Sequence, residues 1–141
     1  GLVEARELHL VDEAGVVRAR LAVEGPGDAA LHLADAEGSS RLVLKAGAEH
    51  STVELTNARQ QTLARLSAVP GLTALHLAHA QGAETAQVRV GDEVLSVLLA
   101  DLDQGRMAAL TAGAEGMNLE VTGGAEGEEP PADEGGARTG D

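Results

Sequence analysis

The sequence predicts an all-β chain: an elongated, repetitive antiparallel meander of hairpins rather than a globule. Three observations predict it. An apolar triplet with a variable centre recurs as Leu8-His9-Leu10, Leu31-His32-Leu33, Val53-Glu54-Leu55, Leu75-His76-Leu77, Val97-Leu98-Leu99 and Leu119-Glu120-Val121. The steps between the first residues of these triplets are 23, then 22 four times. Within each unit the apolar residues alternate with period two, and glycine recurs too often for a helix.

Each unit of about 22 residues reads as two strands and two turns, giving five to six units in all. The triplet is the first strand, with its middle residue facing outward. A turn former follows four positions after each start: Asp12, Asp35, Asn57, His79 and Asp101, with Gly123 where the pattern ends. Gly15, Gly38 and Gly82 come three residues later, whereas the fifth unit has Gly105 one place late and the third has Gln60. Asp accepts a local backbone hydrogen bond and Gly takes a positive φ, which suits a tight hairpin loop.

The second strand carries its inward set at Ala19, Leu21 and Val23, and the pattern returns at Leu42, Leu44 and Ala46 and at Ala64, Leu66 and Ala68. Units four and five repeat it with Val88 and Leu110 at the centre. The residues between, such as Arg20, Lys45, Arg65, Gln87 and Arg89, are mostly polar. One face is therefore expected to be dry and the other wet, as in an antiparallel sheet. A single-chain β-solenoid is the alternative arrangement of the same units. The tight Asp-x-x-Gly loop favours the hairpin, because it bridges strands ~4.8 Å apart better than sheets ~10 Å apart.

The chain has 141 residues and no Phe, Tyr, Trp or Cys, so its apolar supply is Leu, Val and Ala with two Met. Such side chains fill a thin layer rather than a thick core. No amphipathic helix is available to cover the dry face, and a bare face of that size is not tolerated on a soluble monomer. The expected solution is a homo-oligomer, a trimeric β-prism with the apolar faces packed around a common axis. On this reading the Ala-rich inward positions mark close approach at the axis.

The net charge of −13 argues against nucleic acid as a partner and against a polybasic membrane contact. No apolar run approaches the ~20 residues of a bilayer-spanning helix, so direct membrane insertion is not expected. The absence of Cys excludes a disulfide framework and leaves the redox compartment open. The chain starts at Gly1 rather than Met, which leaves room for a removed leader. Residues 1–122 form the expected β-repeat domain. Residues 123–141, rich in Gly and acid with Pro130-Pro131, form an expected disordered acidic tail, either a solvated segment or a dock for a basic partner.

Few residues invite a chemical role. His9, His32 and His76 share one outward repeat position with Glu54 and Glu120, while Leu98 interrupts it. Imidazole and carboxylate bind zinc or nickel, but in a meander these positions stand ~9–10 Å apart, too far to share an ion. The Asp-x-x-Gly loops lack the ligand spacing of calcium loops. No nucleophile elbow, phosphate loop or His-Glu-x-x-His motif occurs. No catalytic, cofactor-binding or metal residue is therefore assigned, and no enzyme activity is expected. Arg18 and Arg41 are expected to pair with nearby carboxylates on the wet face.

The run from Arg6 to Leu21, with Leu8, Leu10, Asp12, Gly15, Arg18 and Leu21 as its framework, resembles a repeat of bacterial proteins in which such units follow a stem, often a coiled coil. It is also similar to the hairpin repeats in shafts of phage tail fibres. The resemblance covers residues 5 to about 122, close in the first two units and looser after them, where Gln60, Leu63, Thr85 and Met107 depart from the pattern. It implies a bacterial, structural, oligomeric and non-catalytic part, and it transfers no functional residue. The expected function is thus a structural or assembly module: a shaft, spacer or filament unit whose first partner is itself, with a further protein partner unidentified. The alternative is a receptor- or glycan-binding spike or adhesin module, which the lack of any aromatic ring to stack on a sugar disfavours. The location stays open, the cell surface and the extracellular space both suiting a shaft.

Overall fold

The computed structural model describes residues 1–2, 4–82 and 84–123. The expectation of a disordered tail over 124–141 lies outside the described residues. Eleven strands follow one another: β1 (Glu7–Val11), β2 (Val17–Glu24), β3 (Asp28–Ala34), β4 (Ser40–Ala46), β5 (Ser51–Thr56), β6 (Thr62–Val69), β7 (Leu72–Ala78), β8 (Glu84–Gly91), β9 (Leu95–Asp101), β10 (Arg106–Gly113) and β11 (Gly116–Thr122). They form a single sheet in strict sequence order, every neighbouring pair antiparallel. The all-β meander predicted from the repeat is therefore observed.

The register explains why the period matters. Leu8 pairs with Leu21, Leu21 with Leu31, Leu31 with Leu44, and Leu44 with Val53. The line continues through Leu66, Leu75, Val88, Val97 and Leu110 to Leu119. One unbroken aliphatic row thus crosses the middle of all eleven strands. A slip by one residue in any pair would turn the strands beyond it over and break the row, so the continuity of one apolar face goes with this register.

Two further rows flank it on the same face. Towards the Asp-x-x-Gly loops the pattern is Leu10, Ala19, Leu33, Leu42, Leu55 and Ala64, and so on to Val121. Towards the opposite loops the row is mostly small, with Ala29, Ala46, Ser51, Ala68 and Thr73 in its centre. The alanines therefore lie in the flanking rows, and Leu and Val hold the middle.

The loops close as their sequence requires. Asp12 Oδ1 accepts hydrogen bonds from the amides of Ala14 and Val16, and Asp35 Oδ1 from those of Glu37 and Ser39. Asn57 Oδ1 does the same for Arg59 and Gln61. In that loop Gln60 takes the positive φ of 60° that Gly15 and Gly38 take in the first two. All three loops coincide with a bulge in the ladder, after Leu10, Leu33 and Leu55. In the fifth unit Gly105 stands one residue later and the ladder runs straight to the Asp101–Arg106 pair. The fourth unit also lacks the bulge, its ladder running straight to the Ala78–Thr85 pair although Gly82 keeps its place, so the bulge marks the first three units and does not follow the glycine.

Candidate functional site

The sheet has two faces of opposite chemistry, and the apolar one is the candidate site. No described element of the chain covers it. Among the described residues only Ala22 and Ala30, at 5% and 1% exposure, are buried, and no large side chain is fully buried. Leu8, Leu10, Leu21, Leu55, Leu66 and Leu99 all belong to the apolar rows and all are exposed. A shallow depression lies where Ala29, Ala46, Ser51 and Ala68 adjoin the larger Leu31 and Leu44.

The size of this face sets its meaning. Eleven strands at ~4.8 Å and about seven residues at ~3.3 Å give roughly 50 Å by 20 Å, or about 1,000 Å² of one face. That is beyond the few hundred Å² that soluble monomers expose as one patch. Two such faces in contact would remove about 2,000 Å² from water, the range of a permanent interface.

The two buried alanines lie on the other face, which holds the polar side chains. Ala22 and Ala30 face each other across β2 and β3, with Glu7 and Lys45 completing their row. Long side chains roof them. Glu24 receives three donors: Arg20 Nη1 at 3.0 Å, His32 Nε2 at 3.1 Å and Lys45 Nζ at 3.1 Å. Arg20 Nε also donates to Glu7, which meets His9 as well. Long side chains of this kind can cover small neighbours with their aliphatic stems while their heads stay wet.

The hydrogen bond from Lys45, then that from His32, holds the Glu24 carboxyl down at about 2, against the opposing effect of partial desolvation; Arg20 adds to it. Glu7 is lowered by Arg20 and then by His9. Farther along the face Arg65 donates to Glu54 and is the main cause of its lowered pKa. Directly opposite Glu24 in the hairpin stands Asp28, a like charge; Lys45 pairs with Glu24, and His50 Nε2 lies 3.4 Å from Asp28 Oδ2. Asp28 leans across Gly47, where a Cβ would sit 2.5 Å from its Oδ1, so this position takes no larger residue without moving the carboxylate.

The expected arginine pairs form: Arg18 meets Asp12 at 3.3 Å and Arg41 meets Asp35 at 3.0 Å. The outward column is also where the alternation puts it. His9 and His32 flank Arg20, and His76 pairs with Arg65 and Gln87. Each of these histidines is thus separated from the next by at least one intervening strand. Among the described residues no group of three or more His, Asp or Glu is placed to hold a metal ion. No helix there is long and apolar enough to cross a membrane.

The hub at Glu24 is absent from the sequence argument. Its signal was weak: a lone Glu at the end of a strand, four residues after Arg20, whose third partner Lys45 is 21 residues away. No protein-family model matches the chain, and no curated protein matches it.

Proposed function

We propose that this protein is a non-catalytic structural module, a β-repeat shaft or spacer that assembles from copies of itself through the apolar face. The observation that carries the reading is that face: three apolar rows across eleven strands, with no element of the described chain over them. A second copy is the occupant that matches it in length, chemistry and area.

The size profile of the rows supports a trimeric prism over a two-sheet sandwich. Large residues hold the middle row and smaller ones fill much of the flanks. Two flat sheets ~10 Å apart need equal filling everywhere. Three strands of ~20 Å forming a triangle lie about 6 Å from their common axis at mid-strand and converge at the corners. That profile places Leu and Val at the axis and lets small side chains sit where the sheets meet. At each corner the Leu-bearing flank of one copy faces the Ala- and Ser-bearing flank of the next, large against small.

The test is the solution mass of Leu66→Asp beside His76→Asp. In a lone chain Leu66 is 44% exposed, so a carboxylate there would keep its water and cost little. In a dry seam it would cost several kcal/mol per chain, and the assembly should dissociate or unfold. His76→Asp, on the wet face of the adjoining strand, should keep the mass and melting temperature of the parent. A Leu66→Asp protein with unchanged mass and stability would refute the buried face.

A further inference from the structure

Among the described residues the sheet is open, and its two edges differ. The β1 edge is five residues long, bulged after Leu10, and crossed by the Glu7–His9–Arg20 contacts. Charge, brevity and a bulge are the usual devices that keep an edge from pairing. The β11 edge has neither the brevity nor the bulge, and has a single charge. It is seven residues long and pairs with β10 in continuous register from Thr122 to Gly116. It carries no Pro, Lys or Arg, and its one charge is Glu120. Every one of its residues is exposed, with Met117, Leu119 and Val121 at 74%, 67% and 66%.

We propose that β11 is an adhesive edge that pairs antiparallel with β11 of a second copy, about a two-fold axis through Leu119. The register follows from the side chains. Centring on Leu119 sets Leu119 against Leu119, Met117 against Val121, and Asn118 against Glu120 of the second copy. The apolar rows then run on across the seam on the same face, and amide meets carboxylate on the other. Centring one residue later would set Glu120 against Glu120, a like-charge pair that sheets avoid. Centring one residue earlier would set Leu119 against Met117 and leave Val121 without a cross-strand partner. A head-to-tail contact of β11 with β1 would be parallel, since all odd strands of the meander run the same way, and parallel pairing is the weaker ladder. The two-fold contact also closes, whereas the head-to-tail one grows without limit.

The inference is independent of which face packing is correct but joins it naturally. If three copies form a prism, their three β11 edges lie at one end, and the two-folds lie at right angles to its axis. Two prisms would then meet end to end as a hexamer.

The experiment is the solution mass of the full chain by sedimentation, beside Asn118→Glu and the double variant Asn118→Glu with Glu120→Lys. The parent should show twice the mass of Asn118→Glu, because that change sets two carboxylates against each other at both ends of the seam. Asn118 stands opposite Thr111 within its own chain, so the β10–β11 pair meets no new like charge, and the far-ultraviolet circular dichroism should be unchanged. The double variant restores opposite charges across the seam and should recover the doubled mass. A chain ending at Gly123 should also keep it. A parent mass that Asn118→Glu leaves unaltered would overturn the edge pairing while leaving face packing intact. A dimer that Asn118→Glu splits to monomers would uphold the edge and refute face packing. Long open filaments, or doubling that appears only when residues 124–141 are removed, would overturn the two-fold pairing in favour of a head-to-tail contact or of the tail as occupant.

Discussion

The two ends of the sheet share a backbone and differ in cover. Over β1 to β4 the polar face carries Glu7, Arg20, Glu24, His32 and Lys45 in mutual contact, and beneath them lie the two buried alanines. Over β9 to β11 the corresponding positions are Ser96, Leu98, Ala109, Thr111, Asn118 and Glu120. These are short or uncharged, apart from Glu120; the two outermost strands, β1 and β11, are both exposed along their whole length, so the ends differ in the cover of the strands and not in the exposure of the edges. A single-layer sheet can thus bury small residues under long charged ones without any second layer. Where the long ones are missing, nothing among the described residues replaces them. The first end is stabilised from within, and the last end is left for contact with something else.

The comparison can be broken by overfilling the covered end. Ala30→Leu adds three carbons beneath the Glu24 network at a site 1% exposed. It should lower stability by about 1–3 kcal/mol, nearer the low end because the roof is side chains that can shift. Thr111→Leu, in the same lateral row but exposed, should stay within about 0.5 kcal/mol of the parent. Equal effects in thermal or denaturant unfolding would show that the cover over the first strands is not a packed layer.

Removing the hub is the next largest change. Glu24→Gln deprives Arg20, His32 and Lys45 of their shared carboxylate and should lower the melting temperature at neutral pH, whereas Glu120→Gln should not. Acid titration sharpens the same point. The Glu24 carboxyl is lowered from an ordinary 4.5 to about 2 in the folded chain. A group depressed in this way stabilises the fold fully above its unfolded value and loses that contribution as pH falls towards the folded one. Melting temperature should therefore drop between pH 4.5 and about 2, with a shallower drop in Glu24→Gln. A parallel acid profile in the two proteins would place the acid sensitivity elsewhere. The smallest effect is expected from metal: zinc at tens of micromolar should not move the melting temperature, since His9, His32 and His76 are separated by intervening strands. A stoichiometric rise abolished by His32→Ala would show a site after all.

Much of this fold was legible because its determinants are local. The triplets, the turn formers and the alternation of Leu21, Leu44 and Leu66 sit within one unit, and the pairing of Leu8 with Leu21 or Leu31 with Leu44 needs no long-range information. The features that escaped depend on the order of strands across the sheet. The contrast between a Leu-bearing flank on the Asp-x-x-Gly side and a small-residue flank on the other requires the register of several hairpins at once. So does the meeting of Arg20, Glu24, His32 and Lys45, which come from three successive strands. The bulge that accompanies Gly15, Gly38 and Gln60 was likewise hidden, since a bulge is a relation between two strands rather than a property of either.

Among the described residues every strand touches only its neighbours in sequence. The chain is therefore close to one-dimensional, its stability a sum of hairpins and their junctions. Each repeat adds two strands, or about 10 Å of sheet, and none is tied to a distant segment. Contacts so close in sequence can form quickly, a hairpin at a time, from more than one starting point. They also make length a free variable. Loss of residues 53–74, one whole period, would join Thr52 to Leu75 with the rows still aligned. Duplication of the same stretch would lengthen the sheet by the same step. A protein built in this manner works as a ruler whose smallest graduation is one hairpin, and recombination between its own repeats is enough to recalibrate it.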